Sequence, residues 1–188
     1  MNKLGNVDID RISFERLTKL DTYVKQHFDQ LVDKFLVCFE QYCQKITMMQ
    51  KDGKKGSIGF IHFSILRTNI LAKRHKIRLD AYDENWYFDR GECNGEYDVD
   101  EFYHWLDEFA DILEAARNNG FSQIKLVDVQ EAIFEESNKY LLFVAEVIRM
   151  GMRRAIETES YLEMQRGEVF MVCIGGFQDK VDIFIQRR

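Results

Sequence analysis

The stretch "NGEYDVDEF", residues 94 to 102, carries oxygen donors at spacings calcium could use: Asn94 before Gly95, then Asp98, then Glu101 in the place of a closing bidentate carboxylate. Calcium is a hard cation that takes six to eight oxygens, so the rest of the ligand set must also be present. Counting back from Gly95 puts Arg90 in the first ligand slot, where a guanidinium repels the ion, and places the bulky Tyr97 after Glu96. The same letters describe the start of a helix. Asp98 followed three residues later by Glu101, just ahead of an apolar stripe, has the form of a capping box, and Asp100 adds the negative charge that a helix N-terminus favours. The reading is a helix start near residue 98, with no metal and no cofactor.

Other chemical patterns are equally incomplete. Glu101 and His104 form half of a carboxylate–histidine di-iron pattern, but no second Glu-x-x-His occurs, so His104 is read as a solvated histidine among acids. "DGKKGS" at 52 to 57 lacks the spacing of a phosphate loop, and it follows a helix and precedes a strand, the reverse of what that loop needs. Neither G-x-S-x-G nor H-E-x-x-H is present, and Cys173 sits mid-strand among apolar residues, as packing.

What remains is a polar row on two adjacent strands. His62 and Ser64 on one, with Arg78, Asp80 and Tyr82 on the next, share a face if the register allows, and Asp83, Glu84, Trp86 and Tyr87 follow directly. An arginine, carboxylates and amphipathic rings are the chemistry of a recognition surface. His62, Arg78, Asp80, Tyr82, Asp83, Glu84, Trp86 and Tyr87 are therefore the candidate site, with no catalytic residue assigned. The competing structural account has Arg78 and Asp80 in cross-strand pairs, with Trp86 and Phe88 capping the core under a helix.

The elements that must position this row follow from periodicity. Apolar residues at Val24, Phe28, Leu31, Phe35, Cys38 and Tyr42 step by four and three, which predicts one long helix over about 12–50, capped by Asp10 or Ser13 and broken at Gly53 and Gly56. "SIGFIHFSIL" and "HKIRLDAY" predict a hairpin over about 57–88 turning at "AKRH". Helices are expected over about 98–119, stopped by "NNG", and over about 129–164, where Gly151 marks a close approach or a bend. A terminal hairpin over about 168–187 turns at "FQD". The order predicts a single α+β domain spanning 1–188: a small antiparallel sheet of about four strands in two hairpins, packed against two or three long helices.

The charge is segregated. Residues 45 to 78 hold nine basic side chains and one acid, whereas 80 to 118 hold thirteen acids and two arginines, within a chain of net charge −6. These segments can pair with each other or face different partners. Four cysteines without a disulfide spacing, and no apolar run of signal or membrane-span length, point to a cytoplasmic, bacterial protein with reduced thiols. The functional expectation is a non-enzymatic protein-interaction or regulatory domain with an acidic recognition surface, in an immunity- or inhibitor-like role. A basic protein partner and self-association through the N-terminal helix are its expected contacts. The alternatives are a small-molecule site or enzyme built on the polar row, and nucleic-acid binding through 45–78.

Overall fold

The computed structural model describes residues 3–4, 7–119, 124–176 and 181–187. In chain order the elements are β1 (Lys3–Leu4), β2 (Val7–Asp8), α1 (Ile9–Lys51), β3 (Ile58–Ile65), α2 (Arg67–Leu71) and β4 (Lys76–Tyr82). A 3-10 turn at Trp86–Phe88 follows, then β5 (Asn94–Asp98), α3 (Asp100–Asn118), α4 (Leu126–Ala155), α5 (Glu159–Glu163), β6 (Arg166–Gly176) and β7 (Val181–Arg187). The chain divides into two compact units interleaved in sequence. One comprises 1–28, 67–75 and 99–144, the other 29–66, 76–98 and 145–188.

The first unit is helical. The N-terminal part of α1, all of α3 and the first part of α4 meet pairwise: Tyr23 lies against Trp105, Tyr103 against Tyr140, and Ser13 donates to Glu136 at 2.7 Å. The stripe predicted for α3 is the buried one, with Phe102, Leu106, Phe109 and Leu113 inside. Near the end of this unit α1 loses helical geometry at His27 (φ −118°, ψ 15°), whose Nδ1–H donates to the Tyr23 carbonyl at 2.9 Å. That carbonyl is the one the His27 backbone N–H uses in a regular helix, which accounts for the kink.

The second unit holds a five-stranded sheet in the order β5-β4-β3-β6-β7. It is mixed, which corrects the expected four antiparallel strands in two hairpins: β3 pairs antiparallel with β4 but parallel with β6. As the central strand, β3 is buried on both faces at every residue but Phe60, and a near-continuous apolar run is what such a strand requires. One face, formed by Ile61, Phe63 and Ile65 of β3 with Ile77 and Leu79 of β4, lies under the C-terminal part of α1. There Phe35 and Phe39 meet Phe63, and Phe35 meets Tyr97 edge-on. Leu31, Phe35, Tyr42 and Ile46 are buried, so the apolar stripe considered for self-association belongs to the chain's own core.

Other expectations change in detail. The helix expected over 129–164 is two helices, α4 and α5, separated by a turn and the N-cap Thr158. The start of α1 is capped by Asp8, whose Oδ1 accepts from the Arg11 N–H at 3.2 Å; Ser13 instead bonds Glu136. At α3 the N-cap is Val99 with no side-chain cap, because Asp98 still belongs to β5. The short helix α2 precedes "AKRH", and Lys73 in that turn has φ 51°. Of "NNG", Asn119 ends α3 at φ −71° and Gly120 lies outside the described residues, as does the "FQD" turn.

Candidate functional site

Strand register decides which polar residues meet. His62 of β3 stands opposite Asp80 of β4, Ser64 opposite Arg78 and Phe60 opposite Tyr82, so all six occupy the sheet face that points away from α1. On the other flank His62 registers with Cys173 of β6. The predicted row thus shares one face of the sheet, with His62, Ser64 and Asp80 buried. Arg78 shares its Nε–H between both oxygens of Asp80, 2.9 and 2.8 Å away, and reaches Glu92 at 3.5 Å. This pair lies along β4 and not across strands, as the structural account had it.

The loop after β4 folds back over this face. Trp86 packs on Phe60 at 3.8 Å between ring centroids, and Tyr87 contacts Tyr82 and approaches His62. Gly59 admits this return: a Cβ there would meet the Asp83 carbonyl oxygen at 3.0 Å. Trp86 adopts φ 54°, a left-handed conformation that bulky residues rarely take and that costs of order 1–3 kcal/mol. Asp89 holds the turn together. Its carboxylate accepts from the N–H groups of Asp83 and Gly91, each at 2.7 Å, and pairs with the ammonium of Lys55, which also donates to the Gly91 carbonyl. Both charged side chains are enclosed, Lys55 1% and Asp89 5% exposed. Held this way, the loop turns Phe88 outward, 89% exposed. The expectation that Phe88 caps the core is thereby corrected.

Electrostatics separates the buried row from the loop's rim. Burial lowers the pKa of His62, against a smaller opposing effect of Asp80, and its Nε2 has no hydrogen-bond partner among the described residues. Burial also pushes the Cys173 thiol up to about 12 and, with Asp80 and Tyr87 adding to it, the Tyr82 phenol up to about 12. Cys173, His62 and Asp80 are the residue types of a cysteine nucleophile and its base, but these shifts oppose the thiolate–imidazolium pair such chemistry needs. At the rim, Asp83 and Glu84 line a cavity of about 500 Å³ with Ser57, Glu168 and Val169. A second cavity of about 480 Å³ lies between the turn at Gly53–Gly56 and the loop, lined by Lys54, Lys55, Asn85, Phe88 and Arg90 among others. No group of three or more metal-ligating side chains occurs among the described residues, and Asn94 to Asp98 form an extended strand.

The structure therefore brings His62, Arg78, Asp80, Tyr82, Trp86 and Tyr87 together, with Asp83 and Glu84 at their edge. Lys55, Phe88, Asp89 and Arg90 were not part of the candidate row. Lys55 and Asp89 are 34 residues apart and nothing in their local patterns links them. The segregated charges do meet: Lys55 with Asp89, Lys76 with Glu96 and Arg78 with Glu92 in one unit, Lys73 with Asp111 in the other. No protein-family model matches the chain, and neither a curated protein nor a solved structure is significantly similar to it.

Proposed function

We propose that this chain is a non-enzymatic recognition domain that engages a protein partner through the loop from Tyr82 to Gly91, with the ring of Phe88 seated in a pocket of that partner. The observation that carries the reading is the exposure of Phe88 on a turn whose neighbouring rings are packed and whose ends are bound by Asp89. A preorganised aromatic anchor loses little entropy on binding, and anchors of this kind dominate interface energies. Asp83, which lines the cavity at Phe88, and Glu84 and Glu168, which line the other cavity with it, suit a basic partner surface, as in an immunity- or inhibitor-like complex. Reduced thiols fit a bacterial cytoplasm.

The other readings have less support. An enzyme using the polar row needs an accessible nucleophile, whereas His62 and Cys173 are buried and the thiol is held protonated. Nucleic-acid binding through 45–78 loses Lys55, Lys73, Lys76 and Arg78 to acidic partners. Self-association through α1 cannot use the stripe already buried in the core. No helix among the described residues is long and apolar enough to cross a membrane.

The test compares three baits in native lysate by cross-linking and quantitative mass spectrometry: wild type, Phe88→Ala, and Phe14→Ala as a control at another exposed phenylalanine. Loss of a captured protein with Phe88→Ala but not with Phe14→Ala is the expected result. Equal capture by all three baits overturns the proposal.

A further inference from the structure

We propose that the cavity between the Gly53–Gly56 turn and the loop binds a free mononucleotide, its base against the ring of Phe88 and its phosphate on Arg90 and Lys54. This site needs no protein partner and goes beyond the reading above, although its lining includes Asp83, Asn85 and residues 88–91 of the same loop. Three observations converge on it. The cavity's volume of about 480 Å³ lies within the range of small-molecule sites. Arg90 lines it, is exposed and has no carboxylate partner among the described residues, although the surrounding segment is rich in acids. A guanidinium binds phosphate through paired N–H donors, and an unpaired one need not give up an existing bond to do so.

The third observation is the exposed ring of Phe88 in the same lining, since an aromatic face stacks on any nucleobase. Lys54 adds a second cation; its pair with Asp52, at 2.9 Å, is exposed on both sides and so competes weakly with a phosphate. Asn85, also in the lining, offers an amide to the base edge.

Two features oppose an anion here, and both are muted. The carboxylates in the lining are engaged: Asp89 by Lys55 and two backbone N–H groups, Asp83 by the Asn85 N–H at 2.7 Å. The negative end of α1 also lies at this turn, but its carbonyls accept bonds from the chain that follows. Met48 accepts from the Asp52 N–H, Met49 from those of Lys54 and Lys55, and Gln50 from that of Gly53.

The experiment titrates the full chain with AMP, GMP, CMP and UMP at millimolar concentration, following backbone amide resonances, with adenosine, inorganic phosphate and a single-stranded oligonucleotide as further probes. Shifts in residues 53–56 and 83–91 are expected with at least one nucleotide. Its affinity should fall about tenfold or more in Arg90→Ala and, separately, in Phe88→Ala, and both nucleoside and phosphate alone should bind more weakly. Both altered side chains are exposed, so the variants retain the fold. Absence of shifts with all four nucleotides, binding unchanged by Arg90→Ala, or tighter binding of the oligonucleotide overturns the proposal. Arg90→Ala leaves Phe88 in place, so failure here is distinguishable from failure of the protein contact.

Discussion

A lysine ammonium enclosed by one carboxylate and one carbonyl is costly to leave alone, and that sets the consequences of touching Lys55 and Asp89. Asp89→Asn leaves the charge of Lys55 buried, so a loss of about 3–5 kcal/mol is expected in urea denaturation, whereas Phe88→Ala should change stability by less than about 0.5 kcal/mol. Burial by itself would raise the Asp89 carboxyl, but Lys55 and the N–H groups of Asp83 and Gly91 together outweigh it and hold the group below its ordinary value. A lowered carboxyl stabilises the fold above its unfolded pKa, and the contribution disappears as pH falls through the folded value. Faster amide exchange at Asp83 and Gly91 in acid, ahead of exchange in β3, would register that loss. The contribution of His62 has the same sign, because burial also lowers its folded pKa. Its neutral form contributes fully above the ordinary imidazole value, and stability drops below it. His62→Phe should flatten that part of the stability curve. In the helical unit, Ser13 donates to Glu136 and accepts from Lys139 at 2.8 Å. Ser13→Ala should cost about 1–3 kcal/mol, because Glu136 is buried and loses a donor.

Elements were legible where burial wrote a period into the sequence. The steps of α1, the stripe of α3 and the alternation of β4 each predicted the right structure, because each sets its apolar side chains on one face. Strand β5 left no such mark: of "NGEYD" only Tyr97 is buried, and its acids suggested a helix cap. The face shared by His62, Arg78, Asp80 and Tyr82 followed from a period of two once the register was known, whereas the turn over it depends on Gly59, Trp86 and a distant lysine. Gly151 turns out to mark a close approach of α4 to α1. A Cβ there would lie 2.2 Å from Phe35 Cδ1 and 2.8 Å from Cε1. The ring of Phe35 is held against Phe39, Phe63 and Tyr97, so it has little room to yield. Gly151→Ala should therefore destabilise the sheet-bearing unit by about 1–3 kcal/mol, read as a lower midpoint of denaturation.

Across the whole molecule, the opposed charge blocks at 45–78 and 80–118 were visible in composition, but their mutual pairing was not, since it depends on which strands and helices become neighbours. Pairing leaves few cations of the basic block free, so retention on a polyanion resin should vanish at physiological salt. Firm retention there would contradict that account. The parallel pairing of β3 with β6 was also invisible locally, because it joins Phe60 to Met171 and nothing short-range records it. That pairing imposes an order on synthesis. When β3 leaves the ribosome it can pair with β4 and then β5, but its other edge stays open until about 100 further residues have been made, roughly 5–20 s at ordinary elongation rates. During that interval the most apolar strand of the sheet presents unpaired backbone groups, the condition under which nascent chains associate with one another or are held by chaperones. A nascent chain stalled before β6 should therefore recruit chaperone, and release it once Gly176 has emerged.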